Sequence, residues 1–442
     1  MYDNQERKRR AVLVGINSRD LDDDDFDASL DELAQLVDAC DIEVLTTVTQ
    51  RNPVLNKATL MGSGKLMELV EVVHMMDADL VITNEPLTAM QIRNLEDACK
   101  VQVIDRTDVI LEIFAIRARS REAKLQVEYA RLQYVLPRLS GMHQELGRQG
   151  GASGSLSNKG SGEKKIELDR RIIEKRLSDL RKDLEQCATE RRTQALKRSN
   201  SGIPRISLVG YTNAGKSSLM NALLRSYGSD DKDKQVMEGN FLFATLDTTV
   251  RSIQAPGFRK MLISDTVGFV SELPHTLVKA FNSTLEEATY ADLLLNVIDY
   301  SDEEWPKQMN VTLSTLKEIG AGDIPVINVF NKADLPRTFR DEQAPESTLP
   351  YVRKDRDTVN IYMSAKYSIG LDKLIELIEE VLSKGHVQCS LLIPYSDGAA
   401  VNTIQTHATV EAIEYLPEGV KIKATLSNRD YGHYKKYELK ED

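Results

Sequence analysis

A glycine-rich loop of the form GxxxxGKS, from Gly210 to Ser217, is the most chemically informative segment of the sequence. It follows the apolar run ISLV and precedes SSLMNALL, so we expect a strand to end at the loop and a helix to begin there. Backbone N–H groups of such a loop hold phosphate oxygens, Lys216 neutralises the outer phosphates, and the Ser217 hydroxyl binds Mg²⁺. The residues expected to contact the nucleotide here are Gly210, Asn213, Ala214, Gly215, Lys216, Ser217 and Ser218.

An acidic segment, DTVG, begins at Asp265 and follows the apolar run KMLIS. A carboxylate at the end of that strand would hold Mg²⁺ through water, and the N–H of Gly268 would reach the terminal phosphate. Phosphoryl transfer depends mainly on positioning and on neutralising charge, which these groups supply. We therefore predict that Lys216, Asp265 and Gly268 are the catalytic residues.

The first switch must lie between these two segments, where the sequence reads FLFATLDTT from residue 241 to residue 249. One threonine of this run would complete the Mg²⁺ shell when the triphosphate is bound. We choose Thr245 over Thr248 and Thr249, because runs of hydroxyl residues also occur in ordinary turns. The predicted Mg²⁺ ligands are therefore Ser217, Thr245 and Asp265.

Two further segments indicate which base is bound. NKAD follows the strand-like run IPVINVF, and the Asp334 carboxylate in it can accept the N1–H and the exocyclic amine of guanine; adenine offers neither pattern. SAK follows VNIYM and can add a backbone donor for guanine O6. Four motifs in order, each at the C-terminal end of a strand, indicate a guanine-nucleotide site on a doubly wound sheet. The predicted contacts to the base are Asn331, Lys332, Asp334, Ser364, Ala365 and Lys366.

The residue after Gly268 is Phe269, where many switch GTPases have a glutamine that orients the attacking water. Phenylalanine cannot hydrogen-bond water, so we expect slow hydrolysis without an outside partner and a stimulation of roughly 10³–10⁵-fold with one. Asn213 supports a related hypothesis. An asparagine at that loop position can offer an oxygen to a monovalent cation, so K⁺ could stand in for a missing arginine finger.

The chain is long enough for several domains, and its patterns divide it into four. Residues 11–115 alternate strand-like and helix-like runs, which predicts a small α/β domain with a mainly parallel sheet. Its segment GSGK, residues 62–65, fits either the tail of a phosphate loop or a loop entering a helix. The predicted architecture is a multidomain α/β protein with an N-terminal α/β domain (1–115), a basic antiparallel helical hairpin (116–200), a P-loop GTPase domain with a doubly wound sheet (201–385) and a small β-rich C-terminal domain (386–442).

Two apolar series predict the hairpin, because each follows the steps of three and four of a coiled-coil seam. They are Leu125, Tyr129, Leu132, Leu136 and Leu139, then Ile173, Leu177, Leu180, Leu184 and Cys187. The glycine-rich stretch 147–165 separates them and is either an idle flexible tip or a loop that becomes ordered on RNA. The candidate RNA contacts are Arg148, Lys159, Lys164, Lys165, Arg170 and Arg171.

Charge is unevenly distributed along the chain. The net charge is −11, yet residues 116–205 hold 21 Lys and Arg against 11 Asp and Glu. A basic segment inside an acidic protein points to a polyanion as its partner. The N-terminus lacks the apolar core of a signal peptide, no apolar run approaches a membrane span, and the four cysteines lie far apart. We therefore expect a cytoplasmic monomer with reduced thiols and no membrane span.

With the basic hairpin directly before the nucleotide motifs, the chain resembles the HflX-type GTPases over nearly its whole length. GYTNAGKS, FATLDTT, DTVGF and NKAD match the nucleotide site of that family, and RTDVILEIFAIRA, AKLQVEYARLQY and GEKKIELDRR match its helical segment. The resemblance implies GTP and Mg²⁺ binding, docking on the rRNA of the large ribosomal subunit with the glycine-rich tip near the peptidyl-transferase centre, and splitting of stalled or idle ribosomes. Hydrolysis would release the protein.

The tip departs from the family pattern, which often reads GGIGTRGPGE; here it is GGASGSLSNKGSGE. That difference leaves room for a specialised role, such as displacing a drug from the ribosome. Two other functions remain open on the same residues. A ribosome-assembly or RNA-chaperone GTPase would not separate mature subunits, and a signalling switch with a protein-binding coiled coil would show no salt-sensitive RNA binding.

Overall fold

The computed structural model describes residues 7–18, 22–51, 54–148, 159–199, 203–228, 249–266, 268–269, 288–335, 349–355, 358–383 and 386–439. The chain forms two compact units, the first built mainly from residues up to Cys187 and the second mainly from residues after it. Thr245 and the tip residues 149–158 lie outside the described part of the chain.

The first unit begins with a four-stranded parallel sheet in the order β2-β1-β3-β4. Strands β1 and β3 are buried along almost their whole length, as expected for a parallel sheet covered by helices. The elements are β1 (Arg10–Asn17), α1 (Asp23–Ala39), β2 (Glu43–Arg51), α2 (Ser63–Met75), β3 (Leu80–Thr83), α3 (Ala89–Cys99), β4 (Gln102–Asp105) and α4 (Arg106–Arg117).

Local sequence explains where these helices begin. α3 starts with a capping box, in which Thr88 and Gln91 satisfy each other's backbone N–H groups. α2 begins at Ser63, inside the GSGK segment, and Lys65 forms an ion pair with Glu68 one turn further along (Nζ–Oε2 2.8 Å). GSGK thus leads into a helix, as both of its interpretations require.

Two long helices follow, α5 (Arg121–Arg148) and α6 (Lys159–Ser199). The predicted seam residues of α5 are only half-buried, and its most buried apolar residues are Ala123, Val127 and Ala130. The reason is that α5 also packs on α3 and α4, so it has a second packed face. Between α5 and α6, Arg176 forms a two-pronged ion pair with Glu128 (Nε–Oε1 2.6 Å, Nη2–Oε2 2.7 Å).

A buried carboxylate fastens α5 to the sheet. Asp105 is fully buried at the end of β4 and accepts hydrogen bonds from the backbone N–H of Leu87 (3.0 Å) and from Tyr134 and Arg138 of α5. Arg138 also reaches Asp108 (2.9 Å) and lies over the Tyr134 ring. Removing one partner of this cluster would cost about 3–5 kcal/mol, because the other charge would be left buried without compensation.

The second unit contains a seven-stranded sheet in the order β10-β11-β9-β8-β5-β7-β6, parallel except for β6 and β10. Helices flank it, as in other doubly wound folds. The elements are β5 (Arg205–Gly210), α7 (Lys216–Tyr227), β6 (Thr249–Ile253), β7 (Met261–Asp265), β8 (Leu293–Asp299), α8 (Trp305–Glu318), β9 (Val326–Asn331), β10 (Tyr351–Lys354), β11 (Val359–Tyr362) and α9 (Leu371–Leu382).

A row of asparagines joins three of these strands. Asn296 on β8 donates to Asn328 on β9 (3.1 Å), and Asn328 donates to Asn360 on β11 (2.9 Å). The three residues lie side by side in the strand register. Because a shifted strand would leave buried amides unpaired, the row holds in register the strands whose ends carry the predicted guanine motifs.

The C-terminal domain is a three-stranded antiparallel sheet in the order β12-β14-β13 with two helices. The buried Glu379 of α9 joins it to the larger sheet, because it pairs with Arg259 (Nη2–Oε1 3.0 Å) and accepts from Thr409 of the C-terminal domain. Among the described residues, no helix is long and apolar enough to cross a bilayer. The elements are β12 (His386–Ile393), α10 (Gly398–His407), β13 (Thr409–Leu416), β14 (Gly419–Ser427) and α11 (Asn428–Tyr434).

Candidate nucleotide-binding site

The GxxxxGKS loop joins the end of β5 to the start of α7, as predicted. At two positions of this loop only glycine fits. A Cβ on Gly210 (φ +141°) would lie 2.2 Å from the carbonyl oxygen of Val297, and one on Gly215 (φ +95°) would lie 2.2 Å from the Asn331 side-chain nitrogen. The loop is therefore pressed against neighbouring strand ends, and the first backbone N–H groups of α7 follow it directly.

Lys216, the first residue of α7, is buried and folded back over the loop. Its ammonium donates to the carbonyl oxygens of Gly210 (3.0 Å) and Tyr211 (2.6 Å). Burial lowers the pKa of Lys216 to about 8, and the nearby Asp265 carboxylate acts in the opposite direction. The ammonium is thus a charge held inside the loop with only partial compensation, which favours an anion beside it.

This depressed pKa predicts that GDP affinity falls above pH 8. Bound phosphates favour the charged ammonium and raise its pKa, so binding above pH 8 must take up a proton. With a free-protein pKa of about 8, the protonated fraction and therefore the affinity fall about sevenfold between pH 7.0 and pH 8.8. Titration calorimetry at both pH values, in two buffers of different ionisation enthalpy, measures the affinity and the proton uptake.

Lys216→Met is the matched control for this measurement. The variant binds GDP more weakly at every pH, but its affinity should show only the pH dependence of the nucleotide itself. If the affinities of the native protein and the variant change in parallel with pH, the ionisation of Lys216 does not govern nucleotide binding.

Asp265 and Ser217 lie together where Mg²⁺ is predicted. Asp265 ends β7 and is fully buried, and it accepts a hydrogen bond from the Ser217 hydroxyl of α7 (Oγ–Oδ2 2.7 Å). A carboxylate and a hydroxyl are the hard oxygen donors that Mg²⁺ prefers. These two residues therefore fit the ion; the third predicted ligand, Thr245, lies outside the described residues.

Gly268 approaches the loop closely, and Phe269 turns away from it. A Cβ on Gly268 would lie 2.9 Å from the Lys216 ammonium, so a larger residue would collide with it. The Phe269 ring is 2% exposed and lies in the core, while the Phe269 backbone pairs with the loop at Thr212 (N–O 2.7 Å) and Gly210 (N–O 3.1 Å). The position of the missing glutamine is thus occupied by a core residue.

Asn331 connects the loop with the SAK segment. Its side-chain nitrogen donates to the Ala214 carbonyl (2.9 Å), and its side-chain oxygen accepts the backbone N–H of Ala365 (2.9 Å). Two predicted groups of residues are therefore held at one edge of the sheet by a single buried amide. One backbone donor of SAK is engaged by this contact, while the Lys366 side chain is exposed, with its ammonium 5.3 Å from the centre of the Tyr367 ring.

Lys332 and Asp334 follow Asn331 on the same edge. Lys332 adopts a left-handed backbone conformation (φ +59°), and its ammonium pairs with Asp299 at the end of β8 (Nζ–Oδ2 2.6 Å). Asp334 is half-exposed. Sequence reasoning did not identify Asp299; a carboxylate at the end of the neighbouring strand was the available signal, because β8 and β9 place Asp299 opposite Asn331.

The other predicted contacts are less enclosed. Asn213, the candidate K⁺ ligand, is half-exposed with φ +59°, and Ser218 is half-exposed in the first turn of α7. Among the RNA candidates, the exposed side chains of Arg170 and Arg171 pair with glutamates on their own helix (2.9 and 3.2 Å). The side chains of Arg148, Lys159, Lys164 and Lys165 lie outside the described part of the structure.

Sequence models of three protein families match consecutive parts of the chain. Residues 27–115 match the model described as GTP-binding GTPase N-terminal, and residues 117–198 match GTP-binding GTPase Middle Region. Residues 205–332 match the model described as 50S ribosome-binding GTPase. The first covers most of the N-terminal sheet, the second the long helices, and the third the phosphate loop, the DTVG segment and the first two residues of NKAD.

Two curated proteins similar to this chain over most of its length are named GTPase HflX. A GTPase HflX of Caldanaerobacter subterraneus subsp. tengcongensis is 43% identical over 95% of this chain and 91% of its own length. A GTPase HflX of Escherichia coli is 36% identical over 90% and 88%. A solved GTP-binding protein of Sulfolobus solfataricus in complex with GDP covers 85% of this chain and 99% of its own, with 23% identity and a TM-score of 0.45.

Proposed function

The chain belongs to the HflX family of GTPases, and from that premise we propose that it binds the large ribosomal subunit and splits stalled or idle ribosomes while GTP is bound. The observation that carries the proposal is the pair of long helices ahead of the nucleotide site. Residues 116–205 have an excess of ten basic residues within an acidic chain. A basic arm of this kind is suited to rRNA phosphates.

We assign the phosphate end of the site to the loop and its neighbours. Lys216 faces the outer phosphates, with the N–H groups of the loop and of Gly268 holding their oxygens. Ser217, Asp265 and Thr245 are the proposed ligands of Mg²⁺, which when bound neutralises charge on the phosphates. Because Gly268 and Lys216 are packed closely, a change at the terminal phosphate directly affects the position of the DTVG segment.

The base end of the site is assigned to the NKAD and SAK segments. Asp334 accepts the two donors of the guanine edge, and the stem of Lys332, anchored at Asp299, covers one face of the base. Asn331 keeps both segments against the phosphate loop. Guanine selection and phosphate binding are therefore mechanically linked through one side chain.

The proposed cycle couples these contacts to the ribosome. GTP holds the switch segments in the conformation that docks. The protein binds as a monomer, with its basic arm on the intersubunit side of the large subunit. Hydrolysis then releases the protein. Because its proposed partner is the ribosome, the protein is proposed to act in the cytoplasm. K⁺ at Asn213 is proposed to add positive charge during hydrolysis, so equal hydrolysis rates in Na⁺ and K⁺ would contradict that role.

A sedimentation assay tests the splitting step. Intact ribosomes are incubated with the full-length protein and a non-hydrolysable GTP analogue, and the separated subunits are resolved on a gradient. We expect free subunits to appear with the analogue and not with GDP, because only the triphosphate completes the active form. A ribosome-assembly GTPase, the principal alternative, would bind subunits without separating mature ribosomes, and that result would replace this proposal.

The control for this assay alters the arm and leaves the nucleotide site intact. Replacing Lys159, Lys164 and Lys165 by glutamine removes positive charge and keeps the length of the segment. The variant should bind GDP normally and split fewer ribosomes. Splitting at the native level would show that these lysines are not part of the docking surface.

A further inference from the structure

The Thr212 side chain is a polar group that neither the nucleotide motifs nor the fold accounts for. It lies in the phosphate loop, is 5% exposed, and its hydroxyl has no hydrogen-bond partner among the residues that the structure describes. A buried hydroxyl without a partner is unfavourable, and in native proteins such a group usually meets a water or a ligand. Among the described residues, the hydroxyl therefore forms no hydrogen bond that would hold the side chain in its present rotamer.

The position of Thr212 indicates what it would meet. Its Cγ2 and the Lys216 ammonium both come within 2.9 Å of the point where a Cβ on Gly268 would lie. The Thr212 backbone N–H donates to the Phe269 carbonyl (2.7 Å), which holds the residue beside the DTVG segment. The Thr212 side chain therefore borders the same small space as the proposed ligands of the terminal phosphate.

Phe269 cannot orient a water molecule in this space. Its ring is turned into the core, so the residue that follows Gly268 presents no polar side chain there. Rotation of Thr212 by about 120° about χ1 moves the hydroxyl to the position of the methyl and the methyl to that of the Cβ hydrogen, which brings the hydroxyl to the side of Gly268. A hydroxyl can accept a hydrogen bond from water and donate one to a phosphate oxygen.

We propose that Thr212 is a catalytic residue whose hydroxyl orients the attacking water at the terminal phosphate of GTP. The water oxygen forms the new bond to the γ-phosphorus, the bond to the β–γ bridging oxygen breaks, and the water proton leaves with the released phosphate. This inference rests on the proposed phosphate site. It does not depend on the ribosome, and it assigns to this chain a contribution to hydrolysis that precedes any activator.

Single-turnover GTP hydrolysis by the full-length protein without ribosomes tests this role. Thr212→Val keeps the shape of the side chain and removes the hydroxyl. Loss of a hydrogen bond to a charged group should lower the hydrolysis rate by about 10–100-fold. The affinity for GDP, measured by fluorescence titration beside that for a non-hydrolysable GTP analogue, should remain within about twofold, because the hydroxyl acts on the water and on the terminal phosphate, which GDP lacks.

Two further variants separate catalysis from structure. Thr212→Ser retains the hydroxyl and should recover most of the rate. Thr312→Val removes a buried hydroxyl that donates to a backbone carbonyl of α8 (3.0 Å) away from the loop, and it should leave the rate unchanged.

Hydrolysis by Thr212→Val at the native rate would overturn the proposal, as would an equal loss in the serine variant. A parallel loss of affinity for both nucleotides would also overturn it and give Thr212 a structural role. A native protein that binds no GTP would instead contradict the nucleotide site on which the inference rests.

Discussion

Large ribosomal subunits are expected to raise the rate of GTP hydrolysis by this protein by roughly 10³–10⁵-fold. The physical reason is that the isolated site only partly orients the attacking water. Phe269 lies in the core and cannot hold a water molecule, and one threonine hydroxyl replaces only part of that function. Phosphate release in K⁺ buffer, with and without subunits, measures the stimulation. Shortening of the loop 147–165 should reduce it strongly, because the arm would no longer reach its site.

Charge controls sharpen this experiment. Lys307 and Lys373 are exposed residues of the nucleotide domain that pair with Glu304 and Glu376 (2.8 and 2.6 Å), and their replacement by glutamine should leave the stimulation intact. Stimulation should also weaken steeply with added salt, because phosphate contacts release counterions. A slow rate that subunits do not change would leave the GTPase assignment standing and remove the ribosome from the mechanism. A signalling role would then become the better proposal.

The nucleotide site was predictable because its chemistry requires particular residue types at short, fixed separations. Gly210 and Gly215 must be glycine, since the strand ends of β8 and β9 leave no room for a Cβ. The Ser217 hydroxyl and the Asp265 carboxylate meet because β5 and β7 are neighbours in a parallel sheet, whose C-terminal ends share one edge. Alternating strand and helix patterns were enough to predict that arrangement.

Contacts chosen by the tertiary fold were not predictable in the same way. Asp299 and Lys332 lie 33 residues apart, and only the order of β8 and β9 makes them partners. Asp105 and Arg138 are likewise ordinary charged residues until α5 packs on the N-terminal sheet. These are common residue types with no diagnostic spacing, so the sequence did not indicate which charged residues pair.

Helix α5 shows a second limit of pattern reading. Its leucines follow the spacing of a coiled-coil seam, and they are large enough to dominate any periodicity. The opposite face includes the small residues Ala123 and Ala130, which carry a weak hydrophobic signal yet are almost fully buried. A helix with two packed faces therefore appeared from sequence to have one. The same small residues allow α5 to lie close to its domain.

Asp334→Asn is expected to exchange the base specificity of the enzyme from guanine to xanthine. In the proposed site the carboxylate accepts the guanine N1–H and amine, and two hydrogen bonds to a charged group contribute about 1.5–3 kcal/mol each. Their loss corresponds to a fall in GTP affinity of about 10²–10⁴-fold. Xanthine has a carbonyl in place of the amine, to which the new asparagine can donate. Competition binding with GDP and with xanthosine diphosphate measures both affinities.

The variant replaces one carboxylate oxygen by an amide nitrogen on a half-exposed residue, so the fold should be unaffected. Asp323→Asn, which changes an exposed carboxylate in the turn before β9, is the matched control and should keep full guanine preference. Hydrolysis of the xanthine triphosphate by Asp334→Asn should approach the native rate, because Asn331 still holds the base segments against the phosphate loop. If the variant instead binds both bases weakly, Asp334 shapes the site without reading the base. If it still prefers guanine, the base is read elsewhere and the assignment of the NKAD segment is wrong.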